Sequence, residues 1–176
     1  MFQLPADCLA EIFEYFEYDN NTLRSCLLVN RLWCELSVRI LWRNDSNWNY
    51  VTLISCLPNE SKKILDEKGI IISSPTSRPP VFNYASFCKS LTIFRVNYSI
   101  ERLLKNQRSI PLRNLEDSKY IVTQEIYKLL MSQIPSLKSI IVISFCWSDL
   151  NIDFTSYPGA KNCLKNLSEL SCRYNL

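Results

Sequence analysis

The feature that most constrains this fold is a helical spacing of apolar residues close to the N-terminus. Four of them recur at i, i+3, i+4 and i+7, which is the pattern of one apolar helix face. They are Leu9, Ile12, Phe13 and Phe16. Pro5 suits the first helical position, because its ring fixes φ and its missing N–H has no partner there. The sequence therefore predicts a first helix that begins at Pro5.

Two further short helices are predicted before residue 43. The segment Asp19-Asn20-Asn21 interrupts the first pattern, and an Asx side chain there can cap a second helix from about Thr22 to Val29. Asn30 is predicted as a left-handed stop, since Asn tolerates positive φ better than most residues. A third helix is predicted to begin near Arg31 and to direct four apolar side chains inward. These four are Leu32, Trp33, Leu36 and Ile40.

Three helices this short do not hide all of their apolar surface from water. A segment of about 40 residues is near the limit below which a core rarely suffices without a staple or a partner. The sequence therefore indicates a helical docking module whose remaining apolar surface packs against another protein.

The spacing of particular residues within this segment resembles the F-box. Members of that family bind the Skp adaptor of SCF-type cullin–RING ubiquitin ligases and recruit substrates to them. Asp7 stands where F-boxes often have Glu, and it keeps the negative charge. The resemblance is carried by Leu4-Pro5, Leu9, Ile12-Phe13, Leu23, Val29 and Trp33.

The resemblance also implies which residues contact the adaptor and which build the interior of the module. The implied adaptor contacts are Leu4, Pro5, Leu9, Ile12, Phe13, Leu23 and Val29. The implied core residues are Phe16, Leu27, Trp33 and Leu36. The alternative is an ordinary helical hairpin that packs against its own chain, but burial alone would leave these residue types free.

The chain is predicted to divide into three regions. Residues 1–44 form the F-box, and residues 45–80 form a helical linker region that ends in a loop rich in Pro and Ser over 73–80. Before that loop, Ile70-Ile71-Ile72 is predicted as a short strand. Residues 81–176 form the third region.

The third region contains a motif that resembles the leucine-rich repeat. Its fullest copy has the form L-x-x-L-x-C-x-x-N over 167–175, and partial copies lie around Leu91 and over 137–145. The predicted fold class is therefore α+β or α/β, with a three-helix F-box followed by irregular leucine-rich-repeat-like strand–helix units. A generic α/β region with buried short strands is the alternative. Because solenoids normally carry a polar terminal cap, we expect the sequence to be a piece of a longer repeat protein.

The composition disfavours several kinds of catalysis. The chain has no His, which excludes Ser–His and Cys–His nucleophiles, and its two Gly residues form no phosphate-binding loop. Its eight Cys residues contain no C-x-x-C pair and occupy mostly apolar positions, so we expect neither a metal nor a cofactor. An enzyme that uses Cys146 or Cys172 is the alternative.

The charge distribution gives no indication of nucleic acid. Residues 1–44 carry four basic and six acidic side chains, and residues 45–176 carry sixteen and eleven, without a basic run. The longest apolar run, 140–147, is too short to cross a membrane, and the N-terminus does not resemble a signal peptide. We therefore expect a cytoplasmic or nuclear protein without nucleic-acid or membrane partners.

Together these features predict a non-catalytic substrate adaptor. The resemblance implies that the chain binds the Skp adaptor, and through it a cullin, while the later region holds an unknown protein substrate. An F-box interaction protein that serves no ligase is the alternative.

Overall fold

Eight α-helices and a three-stranded sheet make up the part of the chain that the structure describes. The computed structural model describes residues 4–72, 80–107, 110, 112–144 and 153–174. The helices are α1 (Ala6–Glu14), α2 (Asn20–Cys26), α3 (Arg31–Leu41), α4 (Tyr50–Ser55), α5 (Asn59–Glu67), α6 (Ile93–Lys105), α7 (Leu115–Gln133) and α8 (Ala160–Cys163). The strands are β1 (Ser90–Thr92), β2 (Ser139–Ser144) and β3 (Glu169–Tyr174). The loop predicted over 73–80 lies, apart from Pro80, outside the described residues.

Side-chain caps set where the second and third helices begin. The Asp19 carboxylate accepts a hydrogen bond from the Thr22 N–H at 3.0 Å, as the sequence predicted for this break. Asn30 is not the predicted left-handed stop: its φ is −162°, and its side chain accepts from the Trp33 N–H at 3.0 Å. The prediction was wrong because α2 already ends at Cys26, which leaves Asn30 free to cap α3. Pro5 lies at the N-cap position, one residue before the first helical position.

A single apolar core runs from the N-terminal helices to α8. Phe13 is only 1% exposed and meets the Trp33 ring edge-on, with 5.1 Å between ring centroids. Leu23 and Leu53 are fully buried in the same core, which extends to Cys163. Each fully buried Leu contributes about 1.5–3 kcal/mol relative to an exposed one. The N-terminal helices therefore share their interior with the rest of the chain.

The three strands are parallel and follow one another in chain order, β1-β2-β3. Leu91 pairs with Ile140, which pairs in turn with Leu170, and Val142 pairs with Cys172. These paired residues occupy equivalent positions of the three motifs.

The segments that connect the strands are unequal. The first connection contains the long helices α6 and α7, whereas the second contains the four-residue helix α8.

Two predicted strand positions are not in strands. Ile93, predicted as part of a strand motif, is instead the first residue of α6, and the strand predicted at 70–72 is absent. Phe145 and Asn175, the last positions of two motifs, lie outside the described residues. The fold is mixed α and β, and regular leucine-rich repeats stay a prediction.

A ladder of backbone hydrogen bonds links the end of the N-terminal helices to the sheet. At each step one backbone carbonyl accepts hydrogen bonds from two consecutive backbone N–H groups of the next segment, with N to O distances of 2.8–3.2 Å. The carbonyls belong to Arg43, Lys89 and Lys138, and the donor pairs are Lys89–Ser90, Lys138–Ser139 and Ser168–Glu169. An isolated parallel bridge between Asn44 and Ser90 extends the same pattern. The segment that follows α3 therefore continues the sheet beyond β1.

A buried carboxylate reinforces this junction. Asp45 is 4% exposed and accepts hydrogen bonds from the Thr92 N–H at 2.7 Å and the Thr92 hydroxyl at 3.3 Å. The Arg95 guanidinium lies 3.9 Å away. Burial raises the pKa of Asp45, and the bonds from Thr92 and the charge of Arg95 oppose that rise. Asp45 thus satisfies the N–H group at the end of β1, where α6 begins.

Replacing Asp45 with Ala should lower the free energy of unfolding by about 1–3 kcal/mol. The substitution leaves the buried Thr92 N–H without an acceptor, which is the main reason for the loss. Urea unfolding followed by circular dichroism measures this difference.

The matched variant Asp45→Asn keeps an acceptor and isolates the ionisation. Because the native pKa of Asp45 is raised, protonation favours the folded state. This contribution is fully present below the unfolded pKa and is lost as the pH rises through the folded pKa. The stability of the natural protein relative to Asp45→Asn should therefore fall over this pH range. The assigned role would be contradicted if the stability difference between the natural protein and Asp45→Asn did not change with pH. It would also be contradicted if Asp45→Ala were as stable as the natural protein.

Gly159 is predicted to tolerate no side chain. Its φ is +83°, and a Cβ there would lie 2.6 Å from the Met131 carbonyl oxygen and 2.8 Å from the Ser132 Cα. Gly159→Ala should cost more than about 1 kcal/mol in unfolding free energy. Gly69→Ala is the control, because Gly69 also has positive φ (+70°) but open space around it. Equal losses in the two variants, measured by thermal unfolding, would argue against the clash.

Candidate protein-docking surface

The two flanks of α1 have different surroundings. Leu9 and Phe13 are buried and form the inner face of the helix. By helical periodicity Ala10 and Glu14 lie on one flank, and Ile12 lies on the other. Ile12 is 43% exposed although it is a large apolar residue. The helix therefore keeps an apolar side chain at the surface after its inner face is covered.

The turn between α2 and α3 exposes two more large apolar side chains. The helix α2 ends at Cys26, and the Val29 N–H bonds to the Cys26 carbonyl in the turn that follows. Leu28 is 88% exposed and Val29 is 56% exposed. Exposed apolar residues grouped in a short segment are more informative than scattered ones, since they indicate an interaction site.

Arg43 holds α1 against the end of α3. Its guanidinium donates to both Glu14 carboxylate oxygens at 2.6 Å, and it lies 3.4 Å from a Glu17 oxygen. The hydrogen bond from Arg43 holds the pKa of Glu14 below its usual value. Glu14 is about half exposed, so the pair orients the helices more than it stabilises them.

The residues predicted to contact the adaptor divide into two groups. Leu4, Pro5, Ile12 and Val29 are exposed, and we call these four, together with Leu28, the N-terminal apolar set. Leu9, Phe13 and Leu23 are buried inside the chain. Direct contact between an adaptor and any of these residues stays a prediction. Leu28 was not predicted, because the sequence placed it inside the second helix, whereas α2 ends at Cys26.

The residues predicted for the core of the module are half-buried and pack against the main core. They are Phe16, Leu27, Trp33 and Leu36. Phe16 also meets Phe13 edge-on, with 6.1 Å between ring centroids. These side chains shape the module while keeping part of their surface in solvent.

Within the described ranges, the arrangement of reactive side chains provides no metal site: no three Cys, Asp or Glu residues converge. Cys88 and Cys163 are buried, and desolvation raises the pKa of Cys163 to about 11 and that of Cys88 well above its usual value. A thiol with so high a pKa is a poor nucleophile. Cys146, one of the two cysteines considered as a nucleophile, lies outside the described residues, and Cys172 is exposed.

A helix needs about 20 predominantly apolar residues to span a membrane. In the described part of the chain, no helix is both long and apolar enough to cross a bilayer.

The geometry at the N-terminus defines a class of structure, a three-helix module with apolar side chains left at its surface. Residues 1–47 match the family model described as F-box-like. The chain therefore carries an F-box-like domain at its N-terminus, and such domains are typical of non-catalytic adaptor subunits. Neither a curated protein nor a solved structure matches the chain.

Alkylation should distinguish the exposed thiols from the buried ones. At pH 8 iodoacetamide should modify Cys8 and Cys172 first, because both are exposed. Cys88 and Cys163 should react at least about a hundredfold more slowly, because burial both blocks access and raises their pKa. Peptide mass spectrometry over a time course measures the rates. Fast modification of Cys163 in the folded protein would contradict its burial.

Proposed function

We propose that this chain is the substrate adaptor of an SCF-type ubiquitin ligase. In this proposal the F-box-like domain binds the Skp adaptor and through it a cullin, and the rest of the chain recruits a protein target for ubiquitination. The observation that carries the proposal is the coincidence of two findings in one segment. Residues 1–47 match the F-box-like model, and the N-terminal apolar set lies within them.

The surface chemistry suits the binding of a partner protein. The exposed members of the N-terminal apolar set would be desolvated on docking, at about 25 cal/mol per Å² of apolar area. Leu9, Phe13 and Leu23 would support this surface from beneath, because their burial fixes the positions of the helices that carry it.

The proposed mechanism is proximity and requires no nucleophile in this chain. Tethering a target close to a ubiquitin-loaded enzyme raises the effective concentration of the reacting groups. The ladder from Arg43 to Lys138 and the buried Asp45 support a fixed orientation of the sheet relative to the docking helices. A target held by the sheet region would therefore be presented at a defined distance.

We further propose that residues 81–176 form leucine-rich-repeat-like units that bind the target. This proposal is supported by the parallel order of the strands and by the pairing of equivalent motif positions, such as Ile140 with Leu170. We also propose that the protein acts in the cytoplasm or nucleus, since the proposed function implies such a location.

Val29→Asp should weaken binding to the Skp adaptor about thirtyfold or more. A charge placed in an apolar interface is desolvated without a partner, and a loss of about 2 kcal/mol is typical of an important contact. Val81→Asp is the matched control, because Val81 is 83% exposed and lies outside the F-box-like domain. Isothermal titration calorimetry with purified Skp adaptor measures both affinities.

Equal affinities of the two variants would show that Val29 lies outside the interface. Co-purification with a cullin separates a ligase subunit from an F-box protein that acts outside a ligase. Adaptor binding without any cullin would support the second interpretation.

A further inference from the structure

A cleft on the opposite flank of α1 has the composition of a second binding site. It has a volume of about 440 Å³, within the range of ligand pockets, and lies between α1, α3, the 3₁₀ helix Tyr84–Phe87 and the segment before β2. Its apolar walls are formed by Phe13, Leu36, Ile40, Phe87 and Pro135. The charged residues of the lining are three cations and one carboxylate: Arg39, Arg43, Lys89 and Glu14.

The charges in this cleft do not cancel. The two hydrogen bonds from Arg43 neutralise Glu14. Among the described residues, neither Arg39 nor Lys89 has a carboxylate within 4.0 Å. Within the described part of the chain, the Lys89 ammonium donates to a single acceptor, the Ser136 carbonyl, at 3.4 Å. Two positive charges therefore remain beside an apolar floor.

Arg39 contacts an aromatic ring of the cleft. Its guanidinium carbon lies 6.0 Å from the centroid of the Phe87 ring, which is a cation–π distance. This contact orients the side chain without using its hydrogen-bond donors, and a guanidinium binds a carboxylate through two parallel bonds. A ligand carboxylate would thus find a positioned partner.

We propose that this cleft binds a peptide segment of a partner protein in which an acidic side chain stands beside a large apolar one. The apolar side chain packs against the half-buried Leu36 and Phe87 and the exposed Pro135, and the carboxylate pairs with Arg39 and Lys89. A bare inorganic anion would use only the cations and would leave the apolar floor in water. Two unpaired cations are also too few for the phosphate backbone of a nucleic acid, which is bound through many such contacts.

The cleft is separate from the N-terminal apolar set. Ala10 and Glu14 line it from one flank of α1, whereas Ile12 lies on the other flank. The inference therefore does not depend on adaptor binding.

Selection from a phage-displayed library of random ten-residue peptides tests the proposal on the full chain. Captured sequences should be enriched in Asp or Glu next to Phe, Leu, Ile or Trp. The enriched peptides should bind the double variant Arg39→Gln, Lys89→Gln at least tenfold more weakly, as measured by fluorescence anisotropy. The control is Arg102→Gln, Lys165→Gln, which removes the same charges from exposed positions elsewhere.

Three outcomes would overturn the proposal. They are a selection that enriches no acidic–apolar pairs, equal loss of peptide affinity in the two double variants, and peptide binding that is unchanged by Arg39→Gln, Lys89→Gln. Circular dichroism verifies that both variants are folded. Adaptor affinity, measured on the same proteins, should be unaffected, so failure of this proposal is distinguishable from failure of the proposed function.

Discussion

Residues 43–45 make the contacts on which the rest of the structure depends. The Arg43 carbonyl accepts hydrogen bonds from two backbone N–H groups of the segment that enters β1. The buried Asp45 carboxylate accepts a hydrogen bond from the Thr92 N–H at the end of that strand. The Arg43 guanidinium meanwhile binds Glu14 of α1. Of these contacts the buried ones matter most for stability, because the ion pair is partly exposed and screened by solvent. One short segment thus connects the N-terminal helices to the sheet.

This connection gives the N-terminal helices an interior that they could not build alone. Three short helices bury too little apolar surface to be stable in isolation, and here their core continues through Leu53 to Cys163. The downstream chain therefore supplies the missing support. Even so, Ile12 and Val29 stay at the surface, so the downstream chain does not cover all of the apolar side chains of the N-terminal helices. Incomplete cover is the property that a docking module requires.

The same helix α1 serves two surfaces of different chemistry. One flank carries apolar side chains, as expected for a protein–protein interface whose centre is depleted in charge. The other flank, through Glu14 and Arg43, adjoins a cleft where cations surround an apolar floor. Because the two flanks are separated by the buried face of the helix, a change on one need not disturb the other.

Local sequence determined those features that depend on residues near one another. Helix periodicity predicted α1, and the Asx residues at 19–21 predicted a cap for α2, which Asp19 provides. Periodicity identifies which residues are apolar on one face, but it does not distinguish an inner face from an exposed flank, so Leu9 and Ile12 looked equivalent. The role of Asp45 and the cleft beside Arg39 were decided only by the tertiary structure. They depend on segments distant in the sequence that meet through packing, such as Asp45 and Thr92, which are 47 residues apart, and no local pattern records that meeting.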